Sequence, residues 1–127
     1  MRSTTHALAI TAALLLTACA TAPAHLTAAK AAVDGRKAYV HYIDTPPLSE
    51  LGGPTGNCVA FALDYAAELR AMGYKAPLAT ACVLPDGTGH AVLDVDGWRL
   101  DNREARVIPV WASECLNSVP AFSKGLK

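Results

Sequence analysis

Cys58, His90 and Asp101 are, in chain order, the three residue types that build a thiol hydrolase. One is a nucleophile, one a base that takes its proton, and one a carboxylate that holds the base in a single tautomer. Cys58 lies in Gly56-Asn57-Cys58-Val59-Ala60-Phe61, in the first turn of an expected helix. A thiol there sits near unpaired backbone N–H groups and the positive end of the helix dipole, and both favour thiolate over thiol. The same N–H groups can stabilise an oxyanion when sulfur attacks a carbonyl. Taken alone, Cys58 reads equally well as a small core residue, as free cysteines often are. His90 and Asp101, taken singly, read as strand residues on a wet face. Only the combination points to catalysis.

These side chains must be positioned by a helix and a hairpin. Asn57 is a good N-cap, because its side-chain oxygen can accept from an orphan N–H. Phe61, Tyr65, Leu69 and Met72 recur at helical spacing as an apolar stripe, with Asp64 and Glu68 on another side. Gly73 suits a left-handed helix end, and Pro77 blocks resumption. Further on, His90-Ala91-Val92-Leu93-Asp94-Val95 and Trp98-Arg99-Leu100-Asp101-Asn102 flank Asp96-Gly97. That pattern predicts a hairpin with a two-residue type I′ turn. In that register Val95 faces Trp98, Asp94 faces Arg99 and Leu93 faces Leu100. Ala91, Leu93, Val95, Trp98 and Leu100 then share a core face. His90, Val92, Asp94, Arg99 and Asp101 share the other, which brings His90 and Asp101 within reach of each other as diagonal neighbours. Asp94 and Arg99 read as a surface ion pair of little energetic weight.

Elsewhere the chain is less informative. Residues 21–27 read as a tether, 26–33 as an Ala-rich helix, 38–43 as a strand or the end of a helix, with composition favouring strand, and 78–84 as another strand. His41 reads as structural or exposed. Residues 107–111 read as a last strand, on an edge because of Pro109. Nothing beyond Cys115 carries a signal.

The chain has 127 residues, enough for one domain, and its 11 basic and 11 acidic residues balance. That argues against a nucleic-acid partner bound through a basic surface. The N-terminus reads as an export signal: Arg2, an apolar run over 7–16, then Leu16-Thr17-Ala18-Cys19. Ala18-x-Ala20 would serve an ordinary secretory cleavage. Leu-Thr-Ala-Cys also resembles the bacterial lipobox, in which the cysteine is lipidated, and the lipoprotein reading is preferred. Ala20 after the cysteine resembles the outer-membrane-sorted class. Residues 1–18 are then a signal peptide, 19–37 a tether and short helix, and 38–127 the domain. Cys19 is the expected lipidation site. Cys82 and Cys115 are either a disulfide, which an exported protein can form, or two buried thiols.

Gly56-Asn57-Cys58, Leu69-Arg70-x-Met72-Gly73, Gly89-His90-Ala91-Val92-Leu93 and Leu100-Asp101-Asn102-Arg103 together resemble the bacterial transglutaminase-like cysteine peptidases of the papain-like superfamily. The resemblance spans residues 42–103. It implies an α+β fold with a papain/transglutaminase-like core, an N-terminal cysteine helix packed beside a small antiparallel sheet. It implies the nucleophile at Cys58, the base at His90 and the orienting carboxylate at Asp101. An upstream side chain completes the oxyanion hole in such enzymes, and Tyr42 is the position suggested here. Relatives that clip adhesins carry acidic residues around the cysteine, in a pattern linked to calcium. Here the flanks are Asn57, Val59 and Ala60, so no metal and no cofactor is expected.

The function expected is an envelope thiol hydrolase acting on a peptide or isopeptide bond of a protein or peptide substrate, tied to the membrane by a lipid anchor. An amine in place of water would make the same site a transferase. Two alternatives stand beside it. One is an NlpC/P60-like cell-wall peptidase, which also opens a helix with its cysteine but usually as Asp-Cys-Ser. The other is a catalytically silent lipoprotein binding module of the same fold.

Overall fold

The computed structural model describes residues 21–41 and 50–120. The signal segment, Cys19 and Tyr42 lie outside them. The fold is mixed α+β. Helix α1 spans Ala24–Asp34 and α2 spans Cys58–Ala71. Two short strands, β1 (Ala38–Tyr39) and β2 (Thr55–Gly56), pair in parallel. A five-stranded antiparallel sheet follows: β3 (Thr80–Val83), β4 (Gly89–Val95), β5 (Trp98–Leu100), β6 (Ile108–Pro109) and β7 (Leu116–Pro120), in the spatial order β6-β5-β4-β3-β7.

Helix α2 begins and ends on its own sequence signals. The Asn57 side chain accepts from the Val59 and Ala60 N–H groups at 3.0 and 3.2 Å. At the far end Gly73 takes φ +90°, and the Tyr74 N–H returns to the Leu69 carbonyl at 2.9 Å. Phe61, Tyr65 and Leu69 of the expected stripe are buried, but Met72, at the helix end, is 40% exposed. Asp64 and Glu68, expected together on another side, differ in surroundings. Asp64 is buried, paired with Lys37, while Glu68 meets Arg36 near the surface.

The core lies between the helices and the sheet. Leu26, Ala29 and Val33 of α1 join Phe61, Tyr65, Ala66 and Leu69 of α2 and Leu93, Val95 and Leu100 of the sheet in one buried cluster. The helix expected within 19–37 therefore belongs to the packed unit. A boundary at residue 38 would cut through its core, and the helix begins at Ala24, inside the expected tether.

The hairpin has the expected register, with Leu93 opposite Leu100, Asp94 opposite Arg99 and Val95 opposite Trp98. Asp96 and Gly97 take φ of +51° and +82°, the left-handed pair a type I′ turn requires. What differs is the second face of the sheet. His90, Val92, Arg99 and Asp101 are all buried there. Residues 113–116 return across that face, and a Cys82–Cys115 disulfide ties them down.

Arg99 is thus 0% exposed, not part of a surface pair. It binds both Asp94 oxygens, at 2.7 and 2.8 Å, and also donates to Ser113 Oγ and the Cys115 carbonyl. The expected last strand over 107–111 shortens to the edge strand β6, consistent with Pro109. Trp111 sits in a 3₁₀ turn with 86% of its surface exposed. The true last strand, β7, comes from a stretch without a sequence signal, because its pairing with β3 decides it. The 38–43 strand is seen only over Ala38–Tyr39, with residues 42–43 outside the description.

Candidate active site

The arm that carries Cys58 is built from the loop ahead of α2. Lys37 is buried, and its Nζ donates to the carbonyls of Glu50, Gly53 and Thr55 at 2.8, 2.9 and 2.9 Å. It also pairs with Asp64 Oδ2 at 3.0 Å. Asp64 in turn accepts from the Gly52 N–H at 2.9 Å. The loop is pinned by one ammonium group and one carboxylate. Strand pairing adds Val40 N–H to the Gly56 carbonyl at 2.9 Å. Gly56 lies so close to the helix that a Cβ there would stand 2.6 Å from the Ala60 Cβ. Asn57 then caps the helix and Cys58 opens it, half-buried and free of any disulfide.

The other arm comes from the hairpin. His90, at the start of β4, and Asp101, just after β5, meet at 2.7 Å between Nε2 and Oδ1. With Nε2 given to Asp101, the ring nitrogen left for the Cys58 sulfur is Nδ1. In the neutral ring the proton then sits on Nε2 and the Nδ1 lone pair faces the thiol. Asp101 Oδ1 also accepts from the Arg103 N–H at 2.9 Å, and the Asp101 carbonyl accepts from Lys30 Nζ at 2.7 Å.

The electrostatics follow from these contacts. Burial opposes the charged form of Cys58, but the His90 hydrogen bond, the Ala91 N–H and the imidazolium charge outweigh it and hold the thiol below its ordinary value. Burial likewise opposes a charged His90. The hydrogen bonds to Asp101 and Cys58 outweigh it, and the imidazole is raised to about 9. Asp101 is held below the usual carboxylate range, burial being overcome by His90 and by the Arg103 N–H. All three shifts favour thiolate, imidazolium and carboxylate together.

Cys58 and His90 open on a cleft of about 540 Å³ whose walls include Tyr39, His41, Asn57, Leu84 and Arg103. Tyr39 is a functional candidate that sequence reasoning passed over; His41, read there as structural or exposed, is exposed and lines the same cleft. Their side chains meet at 3.3 Å between the Tyr39 hydroxyl and Nδ1 of His41. Partial burial and the Cys58 charge hold the Tyr39 hydroxyl above its ordinary range, against a smaller opposite pull from Arg103. The only sequence signal at Tyr39 was aromatic content in a strand-like run. A second hollow, of about 500 Å³, lies between α1 and the β5–β6 connection and holds neither Cys58 nor His90. Among the described residues no group of three or more His, Cys, Asp or Glu side chains is placed to hold a metal ion.

The structure thus brings Cys58, His90 and Asp101 into one array with Asn57 beside it. Cys82 and Cys115 pair with each other. Cys19 and Tyr42 fall outside the described residues. No protein-family model matches the chain, and no curated protein matches it significantly.

Proposed function

We propose that the protein is a thiol hydrolase of the transglutaminase-like, papain-like kind, acting on a peptide or isopeptide bond in the cell envelope. The observation that carries the reading is the Cys58–His90–Asp101 array on an open cleft, with the Nε2–Oδ1 contact at 2.7 Å. The Cys82–Cys115 disulfide supports an oxidising compartment.

In this reading the Cys58 thiolate attacks the substrate carbonyl carbon and forms the C–S bond. The carbonyl electron pair moves to oxygen, and the Cys58 N–H and the Asn57 amide stabilise that oxyanion, the Val59 and Ala60 N–H groups being taken by the cap. The Asn57 oxygen is already committed to the cap, which leaves its amide NH₂ for the cleft. The oxyanion collapses, the C–N bond breaks, and the leaving amine takes the proton held on His90. Water then attacks the thioester while giving its proton to His90, and the carboxylic acid leaves with the thiolate restored. Asp101 keeps the imidazole in one orientation throughout.

The test is iodoacetamide alkylation of Cys58 as a function of pH, with the site located by mass spectrometry. The expected inflection lies well below the ordinary thiol value of about 8.5. It moves up in His90→Ala. An ordinary Cys58 titration, indifferent to His90, would remove the proposal.

A further inference from the structure

We infer that Lys30, on a helix outside the hairpin and the cysteine helix, is a positioning residue of the triad, holding the main chain at Asp101 from beneath. The inference rests on the proposed thiol hydrolase and adds to it a residue that no motif announces.

Lys30 is 3% exposed. An ammonium group is left in such a place only when its donors are used. All three are: to Asp34 Oδ2 at 2.7 Å, to the Asp101 carbonyl at 2.7 Å and to the Tyr65 hydroxyl at 3.4 Å. Nζ also stands 5.3 Å from the centre of the Tyr65 ring. Tyr65 closes the loop by donating to Asp34 Oδ1 at 2.5 Å. One ammonium group therefore joins α1, α2 and the residue after β5.

Its place relative to the site gives this network its meaning. Asp101 lies just past the end of β5, where ladder hydrogen bonds no longer hold the chain. The contacts that replace them are the Arg103 N–H on its carboxylate and, on its carbonyl, Lys30 at 2.7 Å and the Glu104 N–H of the following turn at 3.1 Å. Lys30 does not touch His90 or Cys58. It acts by fixing where the carboxylate stands, and the imidazole follows at 2.7 Å. The charged or titratable groups around this arm are His90, Cys58, Tyr39, His41 and Asp86 on the cleft side, Arg103 and Glu104 after Asp101, and Lys30 with Asp34 and Tyr65 beneath. Cys82, opposite His90 in the sheet register, is in the disulfide and does not titrate. Asp34 is partly exposed, so water can solvate it when Lys30 is replaced.

The experiment compares the pH profile of Cys58 alkylation by iodoacetamide in the purified full chain, with thermal unfolding on each variant. Lys30→Met is expected to raise the Cys58 inflection by about one pH unit, roughly a tenfold loss of rate below it. Lys30→Gln, which keeps a donor, is expected to fall between Lys30→Met and wild type. Asp34→Asn leaves Lys30 on the Asp101 carbonyl and is expected to lower the melting temperature without moving the inflection. A folded Lys30→Met with the wild-type profile overturns the inference, as does an Asp34→Asn protein that shifts as far as Lys30→Met. Should Lys30→Met not fold, Lys30→Gln decides, and an unchanged profile there overturns it. A wild-type Cys58 that titrates as an ordinary thiol instead defeats the underlying hydrolase reading, so the two failures are told apart.

Discussion

At the scale of single residues, the site is a coupled pair of titrations. His90 is raised to about 9. Its contribution to folding is complete below its ordinary value near 6.5 and is lost as pH rises through about 9. Cys58 is lowered, so its contribution is present above the ordinary thiol value and is lost as pH falls through the lowered one. The two trends oppose each other in the alkaline range. Cys58→Ala removes one of them. The imidazole of that variant is expected to titrate below wild type, because the Cys58 hydrogen bond and charge both raise it, yet above 6.5, because Asp101 remains. NMR titration of the His90 ring protons checks this, and an unchanged value would mean that sulfur and imidazole are not coupled. Urea midpoints at pH 6.5 and 9 should fall more in Cys58→Ala than in wild type; equal falls would count against the pair.

At the scale of elements, each arm of the site hangs on a connection rather than on a strand or helix interior. The loop over 50–56 is shaped by Lys37, whose ammonium satisfies three carbonyls and Asp64. Lys37→Met would leave Asp64 buried without its partner, and breaking such a pair costs about 3–5 kcal/mol. Urea unfolding should show a loss of that order, and a loss under about 1 kcal/mol would show that the loop keeps its shape without the clamp. Gly56→Ala should destabilise by about 1–3 kcal/mol through overpacking against Ala60, read from the same unfolding curves. The Asp96-Gly97 turn sets the register that joins His90 to Asp101, and Gly97 needs φ +82°. Gly97→Ala should cost about 1–2 kcal/mol, and a melting temperature equal to wild type would contradict the turn's role.

At the scale of the whole molecule, the second face of the sheet is closed by covalent and ionic means together. The disulfide spans a separation of 33 residues, for which the loop-entropy relation gives about 3–4 kcal/mol. It holds residues 113–116 over buried Arg99, which binds Ser113 and the Cys115 carbonyl. Reduction should therefore lower stability by that amount and loosen β7, whose pairing with β3 follows directly. Hydrogen exchange over 113–120 with and without a thiol reductant reads this out, and unchanged protection would place the stability of that face elsewhere. Cys82 stands opposite His90 in the register, so the same closure lies next to that imidazole.

Much of this protein was already present in one-dimensional pattern. The Asn57 cap and Gly73 stop act within a few residues, and Asp-Gly determines a turn by local backbone preference, so α2 and the hairpin could be read directly. Register then carried His90 to Asp101, because the period of a strand admits only one pairing at that turn. What the sequence could not determine was every contact made between distant segments. Lys30 looks like a surface charge until α1 docks against α2 and Asp101, and Lys37 does until the 50–56 loop closes over it. Arg99 looks exposed until residues 113–116 return across it, and β7 has no signal because its partner strand supplies its order. Local backbone energetics are written in neighbouring residues. The burial of a charge depends on which remote groups arrive to satisfy it, and only the tertiary fold decides that.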